Sequence, residues 1–240
     1  GSRACVPATR PSRALAPTVG GGRDMAMQAP LQAFDRVASL GNAGMLTDIW
    51  ETPTVLRQMV QKHVKAGASA ATGDFNPPAR CNRVEIPSLQ QPLPQGHSKL
   101  GRTPLEVMAA CTQDSGSFKN KFTIIGCGTS WHAALVAEYL IEHIARIPVD
   151  VQYASEFRYR QPIVRPGDVL IIVSNSGETS DAVESLRMVR RCPGGSDILI
   201  VGICNEANST VARESDAFIA ATAGAEVGVA STKAFSCTVL

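Results

Sequence analysis

The chain has 240 residues, with 23 Lys and Arg against 21 Asp and Glu, and a formal net charge of +2. Its 5% aromatic content and lack of any basic run exclude a dedicated nucleic-acid surface. No apolar run reaches the roughly 20 residues that a membrane-spanning helix needs, and 44% hydrophobic residues suit one globular domain with extensions.

Residues 1–24 carry Arg3, Arg10, Arg13 and Arg23, no Lys, and no acidic residue before Asp24. This composition fits an organelle transit peptide, a disordered leader or a piece of a longer coding region. Gly1 stands where a start would place Met, and the third reading is preferred. Residues 1–44 are therefore read as a leader. From Met45 to about Lys65, Leu46, Ile49, Trp50, Leu56, Met59, Val60 and Val64 form a helical apolar stripe, with Pro53 tolerated near a second start. Residues 66–104 are rich in Gly and Pro (Gly67, Gly73, Pro77, Pro78, Pro87, Pro92, Pro94, Gly96) and read as a long link. A short helix opens at Pro104 and runs to about Cys111, so residues 45–120 form a linking region ahead of a domain over 121–240.

In that domain strands alternate with helices. The strands are expected at Lys121–Cys127, Val149–Tyr153, Asp168–Ser174, Ile198–Cys204 and Ala217–Ala221. The helices are expected at Ser130–Ile144, Thr179–Arg191, Thr210–Glu214 and from near Val229. Continuous apolar strands between amphipathic helices predict an α/β fold: a parallel five-stranded sheet, covered on both faces, with right-handed crossovers. Leu240 falls inside an apolar helix without a terminator, which is read as a fragment boundary. The seven cysteines (Cys5, Cys81, Cys111, Cys127, Cys192, Cys204, Cys237) are odd in number and form no CxxC pair. They predict free thiols in a reducing, cytoplasmic compartment and no zinc site.

Two turns carry the chemistry. Ser174-Asn175-Ser176-Gly177-Glu178-Thr179 follows the apolar run Val169–Val173 and precedes a helix. The N–H groups of a first helical turn, with the macrodipole behind them, attract an anion. Ser174, Ser176 and Thr179 add neutral hydroxyls, and Gly177 admits a close backbone approach. The ligand that fits is a phosphate monoester on a sugar. The competing reading is a plain N-cap by Thr179 or Ser180. Gly126-Cys127-Gly128-Thr129-Ser130 repeats the arrangement after Phe122–Ile125. It lacks the third glycine of a dinucleotide fingerprint and the Gly-Lys-Ser/Thr of a P-loop. Both turns end strands, which places Ser130 and Ser174 at one crevice.

Four blocks in this order, Ile125–Ser130, Ala154–Arg160, Ser174–Thr179 and Gly228–Phe235, resemble the glutamine–fructose-6-phosphate aminotransferase (glucosamine-6-phosphate synthase) family. The likeness is to the first of that family's two sugar-isomerase (SIS) domains, over about Phe122 to Leu240. A weaker stretch, Leu46–Val64, resembles the helix leading into it, with Glu51-Thr52-Pro53 at its kink. The resemblance implies a three-layer, flavodoxin-like domain that holds fructose 6-phosphate or glucosamine 6-phosphate. It places Ser130, Ser174, Asn175, Ser176, Thr179 and Val229 on the sugar phosphate, with Gly128, Thr129 and Gly177 shaping the turns. The family usually has Gln where Asn175 stands, so that side chain loses a methylene of reach while its N–H is unchanged. No cofactor or metal is implied. A glutaminase domain before Met45, a second SIS domain after Leu240 and a homo-oligomer are implied, with glutamine as nitrogen donor and glutamate as product. The proton-moving Glu, Lys and His would lie in the second SIS domain, leaving this chain a clamp without catalysts. The alternative reading is a stand-alone SIS module that senses a phosphosugar; a flavodoxin-like phosphate binder of another kind ranks third.

Other residues receive plainer readings. Glu226 and Lys233 flank Ser231 and Thr232, which are expected as helix-start donors facing the crevice. Lys233 is read as a surface or interdomain ion pair, His132 as part of a polar helix face, and Cys127 as a core thiol. Glu178 is expected to point away from the ligand and hold the turn through backbone N–H groups.

Overall fold

The computed structural model describes residues 43–65, 83–84, 86–94, 97, 99, 101–110, 120–228 and 231–240. All of them belong to one compact unit, Asn42–Leu240. Five parallel strands form its centre: β1 (Phe122–Gly126), β2 (Val149–Tyr153), β3 (Val169–Val173), β4 (Leu199–Cys204) and β5 (Ala217–Ala220), in the order β2-β1-β3-β4-β5. Each expected strand is present; β2 has the expected bounds, and the other four are shorter by one or two residues. All five residues of β1 are buried, as a parallel sheet covered on both faces requires.

Alternate residues serve the two faces. Ile125, Leu170, Ile172 and Ile200 pack beneath α5 (Ala154–Arg160), α6 (Ser180–Arg191) and α7 (Thr210–Glu214) through Phe157, Leu186, Val189 and Val211. Phe122, Ile124, Val169, Val173, Leu199 and Val201 face the other way. There α4 (Thr129–Leu140) covers one part through Ala134 and Ala137. A single π turn, Ile141–Ala145, follows α4 and ends at Arg146 in the left-handed region (φ 58).

The described part of the stretch read as a link also packs on that face. Leu89 of helix α2 (Pro87–Gln90), Leu93 in the loop after it and Val107 of helix α3 (Pro104–Ala110) are buried in one cluster with Phe122, Val169 and Leu199. Burying such a side chain stabilises by about 1.5–3 kcal/mol, so this part of the chain belongs to the core. The helix at Pro104 is the expected one; Pro87 misled because it too opens a helix, where the missing N–H costs nothing.

Helix α1 (Ala43–His63) runs unbroken past Pro53, without a second start. Thr52 donates its hydroxyl to Asp48 O at 2.8 Å there. A two-residue ladder, Val64–Lys65 with Arg83–Val84, follows. Val55, Leu56 and Met59 of α1 pack on Ala234 and Cys237 of α8 (Lys233–Val239). That last helix begins four residues later than expected. Among the described residues no helix is long and apolar enough to cross a membrane, and Cys127, Cys192, Cys204 and Cys237 are free thiols.

Candidate functional site

The strand order 2-1-3-4-5 has its switch point between β1 and β3, since the chain leaves β1 for one side of the sheet and β3 for the other. Gly126 of β1 lies in register with Val173 of β3. The turns Cys127–Ser130 and Ser174–Thr179 therefore stand side by side at the carboxyl edge, each opening a 12-residue helix.

Glycines shape the first turn. A Cβ on Gly126 would lie 2.9 Å from Ser130 C and Trp131 N, so α4 starts flat against the end of β1. Gly128 adopts φ +57 with open space around its missing Cβ, so backbone angle rather than crowding selects glycine. No side chain caps α4. The Gly128 N–H donates to Tyr153 Oη at 2.8 Å, and half-buried Ser130 stands in the first turn.

The second turn is braced from below. Ser174, 2% exposed, accepts from Gly177 N at 3.1 Å, and its Oγ lies 2.9 Å from Thr179 Oγ1. Ser176, exposed, accepts from Glu178 N at 3.2 Å. Thr179 precedes α6 but makes no side-chain cap bond, which removes the N-cap reading for it. Asn175 O accepts from Asn205 N at 3.0 Å, while Asn175 Oδ1 is buried without a partner.

Gly177 has φ +64, and in this structure its missing Cβ admits a close approach of protein. A Cβ there would overlap Ser209 Oγ and lie 2.5 Å from Ser209 Cβ. Its carbonyl accepts from Val211 N at 3.1 Å. Glu178 does turn away from the crevice, yet its Oε1 accepts from Thr210 N of α7 at 2.7 Å rather than from its own turn. That bond holds the Glu178 carboxyl below its ordinary range. Its charge thus serves the α7 N-terminus.

The remaining candidates are occupied elsewhere. Ser231 donates to Glu226 Oε2 at 2.6 Å, and Glu226 Oε1 accepts from Thr232 N at 2.7 Å and Lys233 N at 2.8 Å. These hydroxyls and N–H groups serve an internal cap, not the crevice. Lys233 is no surface residue: it is 2% exposed, with Nζ 2.6 Å from Glu51 Oε2 and 3.4 Å from Asp48 Oδ1. His132 Nδ1 lies 2.9 Å from Gly128 O, on the exposed start of α4. Burial and then the nearby Asp181 charge push the Cys127 thiol up, which disfavours the thiolate a nucleophile needs. Val229 lies outside the described residues, as do Cys5, Cys81 and Cys111. Tyr153 was missed: it ends β2, and only the sheet order shows that its hydroxyl reaches the Gly128 turn.

Among the described residues no three His, Cys, Asp or Glu side chains cluster as metal ligands. A cleft of about 440 Å³, lined by Asn120, Lys121, Pro148, Asp150 and Asp168, lies at the opposite, amino ends of the strands. Its polar groups serve the fold, since Asp168 accepts from Lys121 N and Arg165 N.

A doubly wound α/β domain with two small-residue turns and helix N-termini at its switch point defines a class that receives anionic ligands at the carboxyl edge. The model of the SIS domain family matches residues 118–240, just over half of the chain, and the chain belongs to that family. A glutamine–fructose-6-phosphate aminotransferase (isomerizing) of Chlorobaculum tepidum is 52% identical over 120 residues, covering 50% of this chain and 19% of the relative. The enzyme of the same name from Mycobacterium leprae is 39% identical over 140 residues, 58% of this chain and 22% of the relative. The chain thus spans about a fifth of the length of these curated relatives. Among solved structures, the C-terminal domain of glucosamine-fructose-6-phosphate aminotransferase from Francisella tularensis superposes with a TM-score of 0.56 at 30% identity, covering 81% of this chain and 45% of that one.

Proposed function

We propose that the crevice between β1 and β3 holds the phosphate of a sugar phosphate, fructose 6-phosphate or glucosamine 6-phosphate. In this reading the chain is the sugar clamp of a glutamine–fructose-6-phosphate aminotransferase. One observation carries it: two helix N-termini without side-chain caps stand side by side, with Ser130, Ser174, Ser176 and Thr179 hydroxyls around them. N–H groups and hydroxyls neutralise a phosphate through hydrogen bonds and helix dipoles, and the same hydroxyls suit a sugar. Asn175 contributes its backbone N–H, while its side-chain Oδ1 is buried. Val229 is assigned by resemblance alone.

The chain, in this reading, binds and does not move protons. Of the carboxylates near the site in sequence, Glu178 and Glu226 are bound to the N-termini of α7 and α8, and Asp181 is paired with Arg158 at 3.0 Å. Acid and base groups, and ammonia from glutamine, come from a second SIS domain and a glutaminase domain of the longer enzyme, and the assembly is a homo-oligomer. Calorimetric titration with glucosamine 6-phosphate and with glucosamine is the test. Binding of the phosphorylated sugar only supports the proposal. Equal binding of both, or of neither, ends it.

A further inference from the structure

Asp48 belongs to α1, far from the two turns in sequence, yet it is 1% exposed and fully used. Its Oδ2 accepts from Gly228 N at 2.7 Å and Val227 N at 3.0 Å, and its Oδ1 faces Lys233 Nζ at 3.4 Å. Lys233 Nζ also donates to Ala225 O at 2.7 Å and pairs with Glu51 at 2.6 Å. Glycines allow this closeness: a Cβ on Gly44 would lie 2.9 Å from Val227 Cγ1, and one on Gly228 would lie 3.1 Å from Asp48 Oδ2. One buried carboxylate therefore holds two successive N–H groups of the segment between β5 and α8.

That segment starts at the carboxyl edge of the sheet, where the crevice lies, and its described part, 221–228, is the rim on the β5 side. It leaves the carboxyl end of β5 and ends in α8, which packs on α4, the helix that begins at the Gly128 turn. Near its start Gly224 exchanges two hydrogen bonds with the Asn205 side chain (2.8 and 3.2 Å), and Asn205 N donates to Asn175 O. Two hydrogen-bonded steps thus link the rim to the Ser174–Thr179 turn.

We infer that Asp48 is a positioning residue: through Val227 and Gly228 it sets the rim of the sugar-phosphate site from the helix that precedes the domain. This rests on the sugar-phosphate reading. Asp48 touches no ligand. It keeps the rim in one arrangement, and a rim docked only a tenth of the time weakens apparent affinity about tenfold.

The test compares Asp48→Asn with Glu51→Gln in the full 240-residue chain. Both remove a partner of Lys233, but only the first disturbs the rim N–H groups. Expected for Asp48→Asn are faster amide exchange at Val227 and Gly228, unchanged exchange across β1, and about tenfold weaker glucosamine 6-phosphate binding. Glu51→Gln leaves rim exchange and affinity as in the wild type. Should Asp48→Asn fail to fold, Asp48→Asn with Lys233→Met removes both buried charges together and is expected to loosen the same amides. The inference is overturned if rim exchange does not change, or if both variants lower stability equally with affinity intact. Wild-type chain that ignores glucosamine 6-phosphate ends the sugar-phosphate reading and with it the role in binding; amide exchange then decides the clamp alone.

Discussion

Replacing Thr179 by Val separates a ligand hydroxyl from a structural one. The substitution keeps the shape and removes Oγ1. In the folded protein that oxygen makes one described bond, 2.9 Å to Ser174 Oγ, and no cap bond to α6. Ser174 keeps its bond from Gly177 N. Stability should therefore fall by one neutral hydrogen bond, about 0.5–1.5 kcal/mol, which lowers Tm by roughly 2–5 °C in a chain of this size. A hydrogen bond to a charged phosphate is worth about 1.5–3 kcal/mol, so Kd for glucosamine 6-phosphate should rise roughly 10- to 150-fold. Calorimetry at matched temperature and urea unfolding measure the two quantities on the same preparation. Affinity unchanged within twofold, with a stability loss above about 2 kcal/mol, would make Thr179 a fold residue and not a ligand residue.

Three further outcomes follow from the same geometry. Gly177→Ala should unfold the domain at markedly lower urea, since φ +64 costs about 1–2 kcal/mol and the new Cβ strikes Ser209; a midpoint equal to the wild type contradicts the bracing of that turn. For Asp48, burial raises the pKa, but the bonds from Gly228, Lys233 and Val227 outweigh it and leave the value below the usual 3.8. For Lys233, burial lowers the pKa, but Glu51 and Asp48 outweigh it and leave the value above the usual 10.5. The Asp48 contribution is thus present above pH 3.8 and lost as pH falls through its lower folded value; that of Lys233 is present below pH 10.5 and lost as pH rises through its higher one. Melting of the wild type minus that of Asp48→Asn/Lys233→Met should be flat between those limits and shrink outside them. Finally, the purified chain should convert no fructose 6-phosphate to glucose 6-phosphate above background; turnover abolished by Glu226→Ala would place the catalysts here after all.

The five strands were legible because a parallel sheet between two helical layers needs unbroken apolar runs, and Val169–Val173 and Leu199–Cys204 are such runs. Both turns were legible because a strand that stops at small residues and resumes as a helix writes its geometry locally. What lay beyond reach depended on distant partners. Lys233 looked like a surface charge because its acceptor Glu51 lies 182 positions away. The role of Gly177 belonged to Ser209, which only the packing of α7 brings near. Helix α5 escaped because its seven residues bury only Ala154 and Phe157, too few to set a period. Leu89 and Leu93 were hidden among prolines, where composition suggests a loop and burial decides otherwise.

The most direct measurement is an amide chemical-shift titration of the labelled chain with glucosamine 6-phosphate. The largest shifts should fall on Gly128–Ser130 and Ser176–Ser180, the two turns at the ends of β1 and β3, and glucosamine without phosphate should leave them unmoved. Shifts gathered instead at Asn120, Lys121 and Asp168, around the cleft at the amino ends of the strands, or equal shifts with the unphosphorylated sugar, would contradict the sugar-phosphate reading.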